Sequence, residues 1–345
     1  MSLHSEIFEQ PDRFQNLLSS QREAVEKIAK EIHSRDIQFV FLAARGTSDN
    51  AGRYANYLLG AKNALPLALA TPSLFTYYQQ PPTIKNALVI GISQSGQSPD
   101  IVSVLREGKK QGNLTLAITN ESASPLAKNA DFVLDVLAEE EKAVAATKTY
   151  TSQLMAISML SAALSGDASR WGELEQVSGW AREALRQDQE IAQAAERYRY
   201  MQQSVVLGRG YNYATAFEWA LKLKELTYVA AEPYSSADFK HGPVAMVESG
   251  FPVFSITPNG KVFDSMLNML RHLKNDLLAE LIIISNNQKA LDMAQVALPI
   301  SENIPEWLTP LISIIPAQLF ANHLTVAKGY DPEKPRTIKK VTETH

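Results

Sequence analysis

Short apolar runs rich in β-branched side chains recur through the first half of the chain: Gln38–Ala44, Leu65–Ala70, Ala87–Ile92, Leu114–Thr119 and Phe132–Val136. Runs of this length without polar alternation predict buried parallel strands. Between them, Asn50–Leu59 and Asp100–Gln111 carry apolar residues at helical spacing. That alternation predicts an α/β fold with a doubly wound, flavodoxin-like parallel sheet flanked by helices. An apolar helix over 146–165, a polar Gly-Asp-Ala-Ser break and a charged helical stretch, Glu173–Arg199, then interrupt the pattern. It restarts with strands predicted at Ser204–Leu207, Pro252–Ile256 and Leu281–Ser285, and helices at Thr215–Val229 and Trp307–Ala327. Ala44-Arg45-Gly46-Thr47-Ser48-Asp49-Asn50 and Leu207-Gly208-Arg209-Gly210-Tyr211-Asn212 both follow a first strand and precede a helix, so the second half reads as a weaker copy of the first. The predicted division is an N-terminal helical segment (1–24), a first α/β domain (25–168), a helical connector (169–200), a second α/β domain (201–327) and a C-terminal tail (328–345).

A chain of 345 residues, 45% apolar, is long enough for two cores. Its 33 basic and 37 acidic side chains nearly balance, which removes the net positive field that nucleic acid or an anionic membrane surface would require. Any anion must be gripped locally. The N-terminus, Met1-Ser2-Leu3-His4-Ser5-Glu6, lacks the plan of a secretion signal, and no run of about 18 apolar residues is evident, so a cytoplasmic protein is expected. Without a cysteine there is no disulfide, thiolate metal site or cysteine nucleophile.

The loop Gly91-Ile92-Ser93-Gln94-Ser95-Gly96-Gln97-Ser98-Pro99-Asp100 leaves a predicted strand and opens a helix. Hydroxyls of Ser93, Ser95 and Ser98 can donate to phosphate oxygens, Gly96 allows close backbone approach, and a helix N-terminus presents free N–H groups. Ser98 suits an N-cap and Pro99 the first turn. An ordinary capped strand-to-helix loop has the same composition; three hydroxyls in six residues favour binding. Gly46-Thr47-Ser48-Asp49-Asn50 would stand beside it at the carboxyl edge of the sheet, where open α/β folds bind ligands. The runs that mark nucleotide loops are absent. Further along, Glu218, Lys222 and Glu225 fall on one helical face with Phe217, Leu221 and Tyr228 alongside. A solvated salt-bridged stripe would look the same; a carboxylate in partly apolar surroundings beside a lysine is also a general base for carbon acids. Phe239-Lys240-His241-Gly242-Pro243 fixes His241 in a rigid loop. His4, His33, His272, His323 and His345 show no ligand spacing, so neither a metal nor any other cofactor is expected.

These residues together resemble the isomerase part of the glutamine:fructose-6-phosphate aminotransferase family and the shorter phosphosugar deaminases built, like it, from two sugar-isomerase (SIS) domains. The resemblance runs through Glu9-Gln10-Pro11, Gly46-Thr47-Ser48, Ser93-Gln94-Ser95-Gly96, Val144-Ala145-Ala146-Thr147-Lys148, Leu207-Gly208-Arg209-Gly210, Ala220-Leu221-Lys222-Leu223-Lys224-Glu225, Lys240-His241-Gly242-Pro243 and Ala327-Lys328-Gly329-Tyr330-Asp331 with Pro335-Arg336, in the family's order. It implies that Ser93, Gln94, Ser95 and Ser98 hold a phosphate, that Thr47 and Ser48 hold phosphate or sugar hydroxyls, and that Val144 lines the sugar. It further implies Glu225 as the base moving a proton between C1 and C2, with Lys222 beside it, and His241 as the ring-opening residue. His241 reaches the site from a neighbouring subunit in that family, which implies a homodimer. Lys328 matches the lysine that contacts the open-chain carbonyl and can form a Schiff base.

Two departures narrow the expectation. The chain begins where the family's isomerase half begins and has no cysteine, so no glutamine-hydrolysing domain or nucleophile is expected. Ala146 stands where the synthases commonly have serine. The expected reaction is therefore deamination and isomerisation of an aminosugar 6-phosphate, glucosamine 6-phosphate to fructose 6-phosphate plus ammonia. A deglycase acting on fructosamine 6-phosphates uses the same imine chemistry. A non-catalytic phosphosugar sensor would instead lose the Glu/Lys/His set and gain a DNA-binding segment.

Overall fold

The computed structural model describes residues 2–340; residues 341–345 of the expected tail, His345 among them, lie outside the described range. The chain forms two compact units. Among the described residues, the N-terminal unit comprises Asp12–Glu141, Lys148–Gln176 and Lys339–Lys340; the C-terminal unit comprises Ser2–Pro11, Lys142–Thr147 and Val177–Ile338.

In the N-terminal unit five parallel strands, β1 (Phe39–Ala43), β2 (Leu67–Leu69), β3 (Ala87–Ile92), β4 (Leu114–Thr119) and β5 (Phe132–Asp135), lie in the order β2-β1-β3-β4-β5. All six residues of β3 and of β4 are buried, which is why these strands read as continuous apolar runs. Ile101, Val104 and Leu105 of helix Pro99–Lys110 pack on Val89 and Ala117. In the C-terminal unit β6 (Gln203–Gly208), β7 (Ala230–Ser235), β8 (Pro252–Ile256), β9 (Glu280–Ser285) and β10 (Val296–Pro299) are parallel in the order β10-β9-β8-β6-β7. Read from the other edge, this is the first order again. Each sheet reverses direction between its first and third strands, and that switch point opens a crevice at the strands' carboxyl ends.

The repeated first loop is repeated in geometry too. Arg45 and Arg209 are extended (φ −140° and −151°), and Gly46 and Gly210 that follow are left-handed (φ +53° and +61°). Each arginine reaches the helix after the third strand: Arg45 Nε donates to Asp100 at 2.8 Å and Arg209 Nη1 to Ser265 Oγ at 2.7 Å.

Several elements differ from the sequence-based expectation. Strands β7 and β10 lie outside the expected strands; both are sheet edges, and β7 carries Pro233 within it, a residue confined to edges and bulges. The charged stretch expected as one helix is two, Ala168–Leu185 and Asp188–Glu196. The helix expected over Thr215–Val229 is α-helical only through Lys222 and continues as a π-helix, Leu223–Thr227. Segment Glu306–Ala327 is long and apolar enough to cross a membrane by length and composition, contrary to the expectation of no such run, and most of it is buried within the protein. Its Phe320 packs against Trp219 and Phe254 in the C-terminal unit, as a core helix does.

Candidate functional site

In the N-terminal unit the loop after β3 folds back on itself. Ser93 Oγ accepts from the Gly96 amide at 3.1 Å and Ser95 Oγ from the Gln97 amide at 3.3 Å. Gly96 is left-handed (φ +61°), and a Cβ there would meet Ser124 Oγ at 2.1 Å, so both backbone sign and space demand glycine. Ser98 is the N-cap of helix Pro99–Lys110, as expected, but its side chain makes no capping bond. Gln94 and Ser95 line a cavity of about 390 Å³ together with Gln97, Ser124, Glu141 and Lys340. Ser48 is buried and accepts from Gln153 Nε2 at 3.1 Å, while Thr47 lies in the first turn of helix Gly46–Asn63.

The same cavity holds a lysine that the sequence reading passed over. Lys340 pairs with the buried carboxylate of Glu141, which also accepts from the Thr149 amide (3.1 Å) and hydroxyl (2.7 Å) at the start of helix Lys148–Ser165. Lys328, the lysine singled out from sequence, is placed differently: its Nζ donates to the carbonyls of Arg199 (3.0 Å) and Met201 (2.6 Å), and burial lowers its pKa. The proximity of Lys340 to Pro335-Arg336 is the signal that the sequence offers.

In the C-terminal unit Lys222 is fully buried between two carboxylates, Glu218 Oε1 at 3.3 Å and Glu225 Oε2 at 2.6 Å. Burial alone would depress its pKa; the charges of Glu225 and Glu218 outweigh that and raise it, so the ammonium is retained. Glu218 is buried like Lys222, whereas Glu225 keeps 23% of its side-chain surface accessible. Such a cluster is not a solvated stripe. Glu225 lies within the π-helix, where the Thr227 hydroxyl takes the Leu223 carbonyl at 2.6 Å, the oxygen that an α-helix would offer to the Thr227 amide. Tyr228 ends the turn in a left-handed conformation, accepts from the Arg336 amide at 2.9 Å, and with Tyr330 flanks the Arg336 guanidinium at 4.2 and 5.0 Å. His241 is exposed in the loop before the turn Pro243–Met246. Val144 is half-buried in the segment Lys142–Thr147, whose Lys142 and Ala143 amides are held by Glu6.

Two stretches, residues 35–163 and 201–328, match the SIS domain. The chain belongs to the SIS-domain family. It is 36% identical to glutamine–fructose-6-phosphate aminotransferase (isomerizing) of Thermococcus kodakarensis across 97% of this chain and 56% of that one. It thus spans little more than half the length of the curated relatives it matches. Among solved structures it superposes on the C-terminal domain of glucosamine-fructose-6-phosphate aminotransferase from Francisella tularensis with a TM-score of 0.88 at 29% identity, covering 96% of this chain and 98% of that one. A glucosamine-6-phosphate deaminase from Thermotoga maritima shares the fold, with a TM-score of 0.80 at 21% identity over the whole of both chains. The expected site residues divide between the two compact units: Thr47, Ser48, Ser93, Gln94, Ser95 and Ser98 belong to the N-terminal unit, and Val144, Lys222, Glu225, His241 and Lys328 to the C-terminal unit.

One cluster runs against expectation. Histidines read as lacking ligand spacing include two, His4 and His323, that converge on Asp188. Burial would raise the Asp188 pKa, but the bonds from His323 and His4 outweigh it and hold the carboxyl below its ordinary value.

Proposed function

We propose that this chain converts an aminosugar 6-phosphate, glucosamine 6-phosphate, into fructose 6-phosphate and ammonia. The observation that carries the reading is the Glu218–Lys222–Glu225 cluster: a buried lysine, held as the ammonium by two carboxylates, beside the one of them that is accessible. The serine loop and the cavity it borders supply hydroxyl donors of the kind a sugar phosphate requires. In the proposed sequence His241 assists ring opening and Glu225 removes the C2 proton of the open-chain aldehyde. The resulting enolamine is protonated at C1, giving an alcohol there and an imine at C2. Water adds to the imine and ammonia leaves. Lys328, expected at the carbonyl end, has its ammonium on two main-chain carbonyls. Exposure of His241 supports its donation to the site of a second subunit in a homodimer.

The test is incubation of the protein with glucosamine 6-phosphate and assay of both products. Equal release of ammonia and fructose 6-phosphate by wild type, and none by Glu225→Gln, supports the reaction and its base. Release of an amine from fructosamine 6-phosphates alone would move the assignment to a deglycase, and tight binding without turnover of any phosphosugar would make the chain a sensor. Mixing inactive Glu225→Gln and His241→Ala subunits should restore activity if His241 acts across a dimer; no restoration would place it within its own subunit.

A further inference from the structure

Three helices of the C-terminal unit bring together side chains far apart in sequence: His4 from Leu3–Phe8, Asp188 from the first turn of Asp188–Glu196, and His323 from Thr309–Ala327. His4 Nε2 lies 3.0 and 3.1 Å from the two Asp188 oxygens, and His323 Nε2 lies 2.7 Å from Oδ1. One ligand atom from each residue falls within 4.8 Å of the others. Both imidazoles present the same nitrogen, and their rings meet edge to face at 5.6 Å. Phe8 packs on the His4 ring at 4.9 Å, and Glu333 Oε1 accepts from the neighbouring Leu3 amide at 2.7 Å, which holds the start of the first helix to the segment after the last one.

We infer that this cluster binds a divalent zinc-type cation. Two imidazoles and a carboxylate are the nitrogen and oxygen donors that zinc takes, and three protein ligands leave a fourth position for water. Metal–ligand distances of about 2.0–2.1 Å in a tetrahedron put donors about 3.3 Å apart. The present spacings of 2.7 and 3.0 Å would have to open by only a few tenths of an ångström. The donors are reachable: the His4, Asp188 and His323 side chains keep 38%, 25% and 18% of their surface. None of the three takes part in the proposed sugar chemistry. The cation would be a staple, tying the first helix of the chain to its last long one.

The experiment uses full-length, tag-free protein stripped with a chelator and titrated with zinc in a calorimeter. One equivalent per chain with a rise in Tm is expected, with neither from magnesium or calcium. Asp188→Asn and His323→Ala should each weaken zinc binding at least tenfold. Cobalt(II) added to the wild type, which needs no variant to fold, should give the intense visible bands of a four-coordinate site. Absence of stoichiometric zinc, a six-coordinate cobalt spectrum, or binding equal in wild type and both variants would overturn the inference and leave a hydrogen-bonded clasp. None of these readouts involves turnover, so they stand apart from the proposed reaction.

Discussion

In the N-terminal SIS domain the loop after β3 runs Ser93-Gln94-Ser95-Gly96-Gln97-Ser98, and in the C-terminal domain the corresponding loop after β8 runs Thr257-Pro258-Asn259-Gly260-Lys261-Val262. The pairs Arg45 with Arg209, Gly46 with Gly210, Gly96 with Gly260 and Asp100 with Asp264 are all equally separated along the chain. The first loop is bonded by its own serines and borders a cavity. The second is filled by the protein: Asn286 Oδ1 accepts from the Asn259 amide at 2.7 Å, Glu306 Oε1 from the Lys261 amide at 3.0 Å, and a Cβ on Gly260 would fall 2.1 Å from the Glu306 carboxyl carbon. On the helix after the first strand the difference is reversed. Where the C-terminal domain has Glu218, Lys222 and Glu225, the N-terminal one has Tyr54, Leu58 and Ala61. One copy borders its loop with a cavity and has uncharged side chains at the three aligned helix positions; the other has supplied its loop with an internal carboxylate and placed charges at those positions. On the proposed function, duplication of the fold assigns binding and proton transfer to separate copies.

That division can be broken at four points. Glu225→Gln should lower kcat about 10²- to 10⁴-fold with KM for glucosamine 6-phosphate little changed, since it removes a proton acceptor and keeps the shape; equal kcat would remove proton transfer from the C-terminal domain. Lys222→Met leaves Glu218 buried without its countercharge and should cost about 3–5 kcal/mol in urea unfolding, whereas Leu58→Met at the aligned position should cost under about 1.5 kcal/mol. Because the Lys222 pKa is raised above its ordinary 10.5, its contribution is complete below that pH and is lost only as pH climbs through the higher folded value. The stability gap between wild type and Lys222→Met should therefore stay flat from neutrality to about pH 10 and narrow beyond it, and a gap that narrows at neutral pH would contradict the charged assignment. Gly96→Ala should cost about 1–3 kcal/mol and raise KM, through a left-handed φ and the contact with Ser124; measured phosphate affinity equal to wild type would mean that the loop is not the cradle. Ser95→Ala should raise KM about tenfold, the loss of one hydroxyl donor to a charged group, with kcat unmoved.

Much of this was legible in the chain. The buried strands β1, β3, β4, β8 and β9 announce themselves because strands covered on both faces need unbroken apolar runs. Both loops and the Glu/Lys helix could be named, since Ser, Gly and charged residues at fixed spacing restrict what a segment can do. Edge strands divide: β2 and β5 are legible as short apolar runs, whereas β7, with Glu232 and Pro233 inside it, breaks the apolar run that marks a strand. The fate of Lys328 and Lys340 could not be named, since it depends on which carbonyls and carboxylates tertiary folding brings to each ammonium. His4, Asp188 and His323 meet through three helix packings that no local pattern encodes.

The π-helix bears on how such a site can arise. Helix Gly46–Asn63 ends at left-handed Ala64, and its counterpart ends at left-handed Tyr228, with the same number of residues from Gly46 to Ala64 as from Gly210 to Tyr228. The second helix is wound tighter at its start, as the 3₁₀ turn Gly210–Asn212, and wider at its end, as Leu223–Thr227. A π turn usually calls for an extra residue; here the count is unchanged and the Thr227 hydroxyl, where the other copy has Asn63, occupies the Leu223 carbonyl. The direction of the Glu225 carboxylate was therefore open to selection through single side-chain substitutions, with no insertion or deletion to disturb the sheet on which it stands.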